Sequence, residues 1–197
     1  MGDVPFVGLT GGIGAGKSTA LAAFERLGAV TLSSDAVVHE LYGADEVRDA
    51  VVGRFGGDVA PGGVVDRGVL AERAFATGAD REWLEHLIWP LVGSRIAEFR
   101  RDAFCREPPP RAVVVEVPLL FESGIDHHFD ATVAVIAEES VRRQRAARRG
   151  YKALAERGAR QLTQEEKAAK STYVVVNDGD IEDLERKLLS VFEMLEG

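Results

Sequence analysis

Gly11-Gly12-Ile13-Gly14-Ala15-Gly16-Lys17-Ser18 satisfies the spacing G-x-x-x-x-G-K-[ST]. An apolar run, Val4 to Leu9, precedes it, and a helix-patterned run, Ser18 to Leu27, follows and closes at Gly28. Strand, glycine-rich turn and helix in that order make a phosphate-binding loop (P-loop). Backbone N–H groups from Gly12 to Thr19 turn inward and form an anion nest at the helix N-terminus. Glycines permit the positive φ angles this requires and keep side chains out of the phosphate path. The expected nucleotide cradle is therefore Gly11, Gly12, Ile13, Gly14, Ala15, Gly16, Lys17, Ser18 and Thr19. Within it Lys17 reaches the β- and γ-phosphates, and the Ser18 hydroxyl holds Mg²⁺.

Outward from this loop, strand-like and helix-like segments alternate. Ala29 to Leu32, Ala112 to Val117, Ala131 to Ile136 and Tyr173 to Val176 are the further strand candidates. Their apolar runs do not alternate cleanly, which suits strands covered on both faces. Helices between them imply right-handed crossovers and a parallel sheet. From Asp35 to Phe104 no strand-like run interrupts helical patterns, and a glycine-rich loop spans Gly56 to Gly68. This is expected to be an all-helical insertion after the second strand. Within it Trp83, Leu84, Leu87, Ile88 and Leu91 fall at helical spacing and read as core, with a surface that binds a ring or chain of a ligand as the alternative. Val141 to Lys170, dense in Arg, Lys, Glu and Ala, is a second helical excursion. The last helix is capped by Asp180, with Ile181, Leu184, Leu188, Phe192 and Leu195 as its apolar stripe.

Composition narrows the setting. The chain has 197 residues, 46% of them apolar, which suits one domain with a substantial core. A net charge of −8 argues against a protein that coats nucleic acid or an anionic membrane. One cysteine, Cys105, excludes an internal disulfide and suits a reducing compartment. The longest apolar stretch, Ala112 to Phe121, is interrupted by Glu116 and too short to span a bilayer, and the N-terminus lacks a basic leader. The expectation is a cytoplasmic protein with no membrane, nucleic-acid or obligatory protein partner.

A P-loop leaves a nucleotide switch, an ATP-driven motor or a small-substrate kinase. Asn177 is the sole asparagine and is followed by Asp178, so the guanine-reading Asn-Lys-x-Asp is absent; so is any Asp-x-x-Gly switch. A motor typically needs a larger chain. A small-substrate kinase needs an acceptor site, a lid and arginines, which the two helical excursions can supply. Asp35, just beyond the second strand, can accept the proton of an attacking hydroxyl or can cap the helix Ala36 to Leu41. His86 reads as structural, and His127 and His128 fall in an expected loop, with no second cluster at metal-ligand spacing to hold a transition metal.

Two segments carry a specific resemblance. Val7-Gly8-Leu9-Thr10-Gly11-Gly12-Ile13-Gly14-Ala15-Gly16-Lys17-Ser18 and Val117-Pro118-Leu119-Leu120-Phe121-Glu122 resemble those of the bacterial dephospho-CoA kinase family. Asp66-Arg67 with Leu70, Gln161 with Glu165-Glu166-Lys167, and Asn177 after the last strand extend the likeness over nearly the whole chain. The resemblance implies an α/β, three-layer P-loop NTPase fold with a five-stranded parallel sheet in order 2-3-1-4-5. The implied core is 1–34, 105–140 and 171–197, with a helical acceptor-binding insertion at 35–104 and a helical lid at 141–170. It implies ATP- and Mg²⁺-dependent phosphorylation of the ribose 3′-hydroxyl of dephospho-CoA, the last step of coenzyme A biosynthesis. Another P-loop kinase of nucleotides or small molecules, or a non-catalytic nucleotide-binding module, are the alternatives.

By the same resemblance Lys17, Asp35, Arg145 and Arg149 are the catalytic residues, the last two contacting ATP phosphates from the lid. Arginine suits that task through its forked donors. Arg142 and Arg143 read instead as a solvated helix face paired with Glu138 and Glu139. Three positions depart from the family pattern. Ser33 and Glu116 each stand where Asp is usual, and Trp89 stands where His is usual.

Overall fold

A computed structural model describes residues 4–148 and 161–196 of the chain. Strand β1 (Phe6–Gly11) is buried along its whole length. It pairs in parallel with β3 (Val113–Glu116) on one side and β4 (Ala131–Ile136) on the other. β2 (Val30–Ser33) extends the sheet beyond β3, and β5 (Tyr173–Val176) extends it beyond β4. The sheet is parallel throughout, in the order β2-β3-β1-β4-β5, as the resemblance implies. β1 runs two residues past its expected end at Leu9 because β4 keeps pairing with it, Thr10 with Ala134 and Gly11 with Val135. The strand therefore delivers the chain straight into the glycine-rich turn.

Helices α1 (Lys17–Arg26) and α8 (Ile181–Glu196) cover one face of the sheet. Their Phe24 and Phe192 meet edge to face, with ring centroids 5.3 Å apart, in a core shared with Val7, Leu9, Val114, Val133 and Val175. Asp180 caps α8 as expected, its Oδ1 accepting the Asp183 N–H at 2.8 Å. Leu184, Leu188 and Phe192 are buried, but Ile181 is not. It sits at the first helical position, past the end of the sheet core, and lines a cleft instead. On the other face, α7 (Gln164–Lys170) packs over β4 and β1. A capping box starts it, in which the Thr163 side chain and Glu166 satisfy one another's backbone N–H groups. Between β4 and α7 lies α6 (Glu139–Arg148).

The chain divides into two compact units, Met1–Ser33 with Arg100–Gly197, and Ser34–Phe99. The second unit holds α2 (Ser34–Leu41), α3 (Asp45–Phe55), α4 (Arg67–Ala74) and most of α5 (Gly78–Phe104). It contains no strand, as the sequence predicts, and has its own core around Val47, Val51, Leu70, Leu84 and Ile88. Trp83, Leu87 and Leu91 pack against that core, and Trp83 stands edge to face with Phe55. These aromatic and aliphatic residues are packing residues.

The stretch expected as a loop from Gly56 to Gly68 is more ordered than its glycines suggest. Two 3-10 turns occupy Gly57–Val59 and Pro61–Gly63, and α4 already includes Gly68. Asp66 explains the early start of α4: its Oδ1 accepts the N–H groups of Gly68 at 2.8 Å and Val69 at 3.1 Å. Such a cap outweighs one glycine's propensity.

Candidate active site

β1 ends at Gly11 and α1 begins at Lys17, so Gly12 to Gly16 form the turn. Gly11 has φ 151°, and a Cβ there would lie 2.2 Å from the Val135 carbonyl oxygen of the neighbouring strand. No other residue fits so close to backbone. α1 opens from Gly16 without a side-chain cap. Its N-terminal dipole and amides thus face the turn rather than a capping oxygen. Lys17 folds back over the turn, with Nζ donating to the Gly12 carbonyl at 3.2 Å. The ammonium is thereby held against the turn. Ser18 and Thr19 follow it in the first turn of α1.

The outer side of the turn carries contacts that the sequence reading did not anticipate. Arg143 pairs with Glu139, as a solvated face should. Arg142, assigned to the same face, does not. Its Nε donates to the Ile13 carbonyl at 3.0 Å, and its guanidinium lies over Gly12. α6 runs alongside the turn, close enough that a Cβ on Gly14 would meet the Arg142 carbonyl oxygen at 2.5 Å. Arg142 and Arg145, three residues apart on a helix, lie on one face, and that spacing was the available signal.

Arg145 donates from Nη1 to the Asn177 carbonyl at 2.8 Å. Asn177, buried just after β5, donates from Nδ2 to the Ala15 carbonyl at 2.8 Å. Arg145, Asn177, Gly179, Asp180 and Ile181 wall a cleft of about 300 Å³ that opens on Gly14, Gly16 and Thr19. Arg149 lies outside the described residues.

Asp35 occupies the first turn of α2, which starts at Ser34. It therefore does not cap a helix beginning at Ala36; β2 runs directly into the helix and leaves no capping position there. Its side chain is exposed. At the end of β2, Ser33 pairs in register with Glu116, the last residue of β3. Two departures from the family pattern thus fall on one rung, a short hydroxyl beside a long carboxylate. Glu116 is buried at the carboxyl end of the sheet, where open parallel sheets place their ligands.

A buried ion pair supports the same end of the sheet. Lys167 is 0% exposed, and its Nζ donates to the Pro118 carbonyl at 2.5 Å and to Glu122 Oε1 at 2.9 Å. Thr10, next to the P-loop, also donates to the Pro118 carbonyl, at 3.4 Å. Nothing in the run Glu165-Glu166-Lys167 signals burial, because its neighbours in sequence are solvated acids.

A fully buried central strand, a glycine-rich turn and an uncapped helix define a P-loop α/β protein, its sheet in the order that the resemblance implies. The family model described as dephospho-CoA kinase matches residues 5–183. A dephospho-CoA kinase of Deinococcus radiodurans is 36% identical over 193 residues, 96% of this chain and 92% of that protein. One from Protochlamydia amoebophila is 32% identical over 194 residues, 96% and 95% of the two chains. Among solved structures, TT1252 from Thermus thermophilus superposes with a TM-score of 0.81 at 32% identity, covering 98% of this chain and 99% of that one. The dephospho-CoA kinase from Campylobacter jejuni shares the fold, with a TM-score of 0.64 at 22% identity and 98% of each chain covered. The chain belongs to the dephospho-CoA kinase family.

Proposed function

We propose that this protein transfers the γ-phosphoryl group of ATP to the ribose 3′-hydroxyl of dephospho-CoA, releasing CoA and ADP. The observation that carries this reading is the P-loop of a family member, with Lys17 Nζ held against the turn by the Gly12 carbonyl. Phosphoryl transfer asks the protein mainly for positioning and charge neutralisation. The amides from Gly11 to Thr19 grip the polyphosphate, and Lys17 neutralises charge that builds on it. Arg145, on the lip of the 300 Å³ cleft beside Gly16, holds the nucleotide from the other side. Arg149 adds a second guanidinium to the transferring group.

The acceptor oxygen attacks the γ-phosphorus as the bond from that phosphorus to the β-bridging oxygen breaks. Asp35 takes the hydroxyl proton. Its exposed carboxylate at the start of α2, directly after a strand end, supports this role. The unit Ser34–Phe99 is read as the acceptor-binding part, and the lid as the part of residues 141–170 that precedes α7, because α7 is packed on β4 and β1 with Lys167 buried. Ser18 would offer the hard hydroxyl oxygen that Mg²⁺ prefers, and Glu116, buried at the end of β3, a carboxylate oxygen of the same hard type. Bound Mg²⁺ supplies charge neutralisation on the β- and γ-phosphates. We assign the reaction to the cytoplasm, which a chain with a single cysteine suits.

The test is direct. Purified protein is incubated with ATP and dephospho-CoA, and CoA is sought by mass spectrometry. ADP release is measured in parallel with dephospho-CoA, nucleoside monophosphates and shikimate. CoA formation with ADP release confined to dephospho-CoA is the expected result. ADP release with another acceptor alone, or tight ATP binding with no transfer to any, overturns the reading.

A further inference from the structure

A turn that grips an anion with its N–H groups points the carbonyls of the same peptides outward. Where protein packs over those carbonyls they need donors. Two side chains supply them here. Asn177 Nδ2 donates to the Ala15 carbonyl at 2.8 Å, and Arg142 Nε donates to the Ile13 carbonyl at 3.0 Å. The donors come from separate elements, the end of β5 and helix α6.

Asn177 is itself pinned. It is 4% exposed, its backbone N–H donates to the Ile136 carbonyl at 2.8 Å, and its own carbonyl accepts from Arg145. The fit is tight: at Gly16, where φ is 98°, a Cβ would lie 2.2 Å from Asn177 Nδ2. The turn and the asparagine have no room to slide past one another.

We infer that Asn177 and Arg142 are positioning residues, an outer brace that holds the Ala15 and Ile13 carbonyls outward. The N–H groups of the turn are then set for a polyphosphate before it arrives. This rests on the reading of the loop as the ATP phosphate site and deepens it. Neither side chain has to touch the nucleotide for the brace to work. A contact from Asn177 to the base, or a charge effect of Arg142 on the phosphates, is a different role with a different signature.

Inorganic tripolyphosphate separates them, because it carries the phosphates without the base. Calorimetric titration of the full chain with tripolyphosphate and with ATP is the measurement. Asn177→Ala weakens both ligands by the same factor, about tenfold for one lost hydrogen bond. Arg142→Met weakens both as well, while Arg142→Gln, which keeps a donor without the charge, recovers much of the loss. The KM for the acceptor stays at the wild-type value. Circular dichroism checks folding; if Asn177→Ala does not fold, the Arg142 pair on the surface of α6 decides.

Tripolyphosphate affinity unchanged in Asn177→Ala while ATP affinity falls assigns Asn177 to the base and overturns the brace. So does wild-type tripolyphosphate binding in both Asn177→Ala and Arg142→Met. Arg142→Gln as weak as Arg142→Met removes Arg142 from the brace. Lys17→Ala is the control: if it binds tripolyphosphate as the wild type does, the loop is not the phosphate site. The functional reading then fails, and the brace with it.

Discussion

Lys167→Met deletes the ammonium of the buried pair and keeps a stem of similar volume. The consequence follows from what remains. Glu122 Oε1 still accepts the Leu162 N–H at 2.8 Å, but its Oε2 is already buried without a partner among the described residues. The carboxylate therefore becomes an uncompensated buried charge. Among the described residues the Pro118 carbonyl is left with Thr10, at the longer distance of 3.4 Å. Removing one member of a buried ion pair costs about 3–5 kcal/mol. For a chain of this size each kcal/mol moves Tm by about 2–4 °C. The expected fall is then about 6–20 °C.

Lys167→Met combined with Glu122→Leu removes both charges and should be less damaging than Lys167→Met alone, because apolar replacement of a whole buried pair is often close to neutral. Residual losses at the Leu162 amide and the Pro118 carbonyl are about 1 kcal/mol each. Urea and thermal unfolding of the wild type, both single variants and the double variant complete the cycle. A loss below about 1 kcal/mol in Lys167→Met, well under the range for a broken buried pair, refutes the reasoning. So does a double variant whose loss equals the sum of the two singles.

Lys17→Ala is expected to lower kcat by about 10²–10³-fold, the usual effect of deleting one strong donor to a transition state; steady-state kinetics on the folded variant checks it. Asp35→Asn keeps the shape and loses the base, so kcat should fall by about 10²–10⁴-fold while ATP affinity stays unchanged by calorimetry. Arg111 donates to both carboxylate oxygens of Glu196, at 2.7 and 2.9 Å, and this hydrogen bonding holds the Glu196 carboxyl below its ordinary range. A depressed acid contributes stability above its unfolded pKa and loses it as pH falls through the folded value. Arg111→Met should therefore flatten the acid limb of the stability–pH profile, measured by urea unfolding between neutral and acidic pH.

What could be read from the sequence was local. The P-loop, its strand and its helix lie within adjacent residues, so spacing and apolarity were enough to place Lys17 and Ser18. The Asp180 cap and the Leu184–Leu188–Phe192 stripe of α8 were legible for the same reason. Local signals misled where a neighbouring residue supplied the deciding hydrogen bond, as Asp66 did for Gly68. They also fell short at element ends: α2 starts at Ser34 directly from β2, two residues before the expected start at Ala36, which removes the cap from the two readings open for Asp35.

Arg142 and Arg143 mark the boundary of such reading. They are neighbours on one helix, yet one pairs with Glu139 in solvent and the other reaches the Ile13 carbonyl, 129 residues away in sequence. Asn177 reaches Ala15 across 162 residues, and Lys167 reaches Pro118 across 49. In a parallel sheet the carboxyl ends of all strands converge on one edge. Residues that follow β1, β3, β4 and β5 therefore meet there whatever their separation along the chain. Composition of the P-loop sets which chemistry that edge can perform. The geometry of the loop is set by donors arriving from other strand ends, and a single sequence carries no record of which donors arrive. A P-loop motif is for that reason a better predictor of the reaction class than of the residues that tune its affinity.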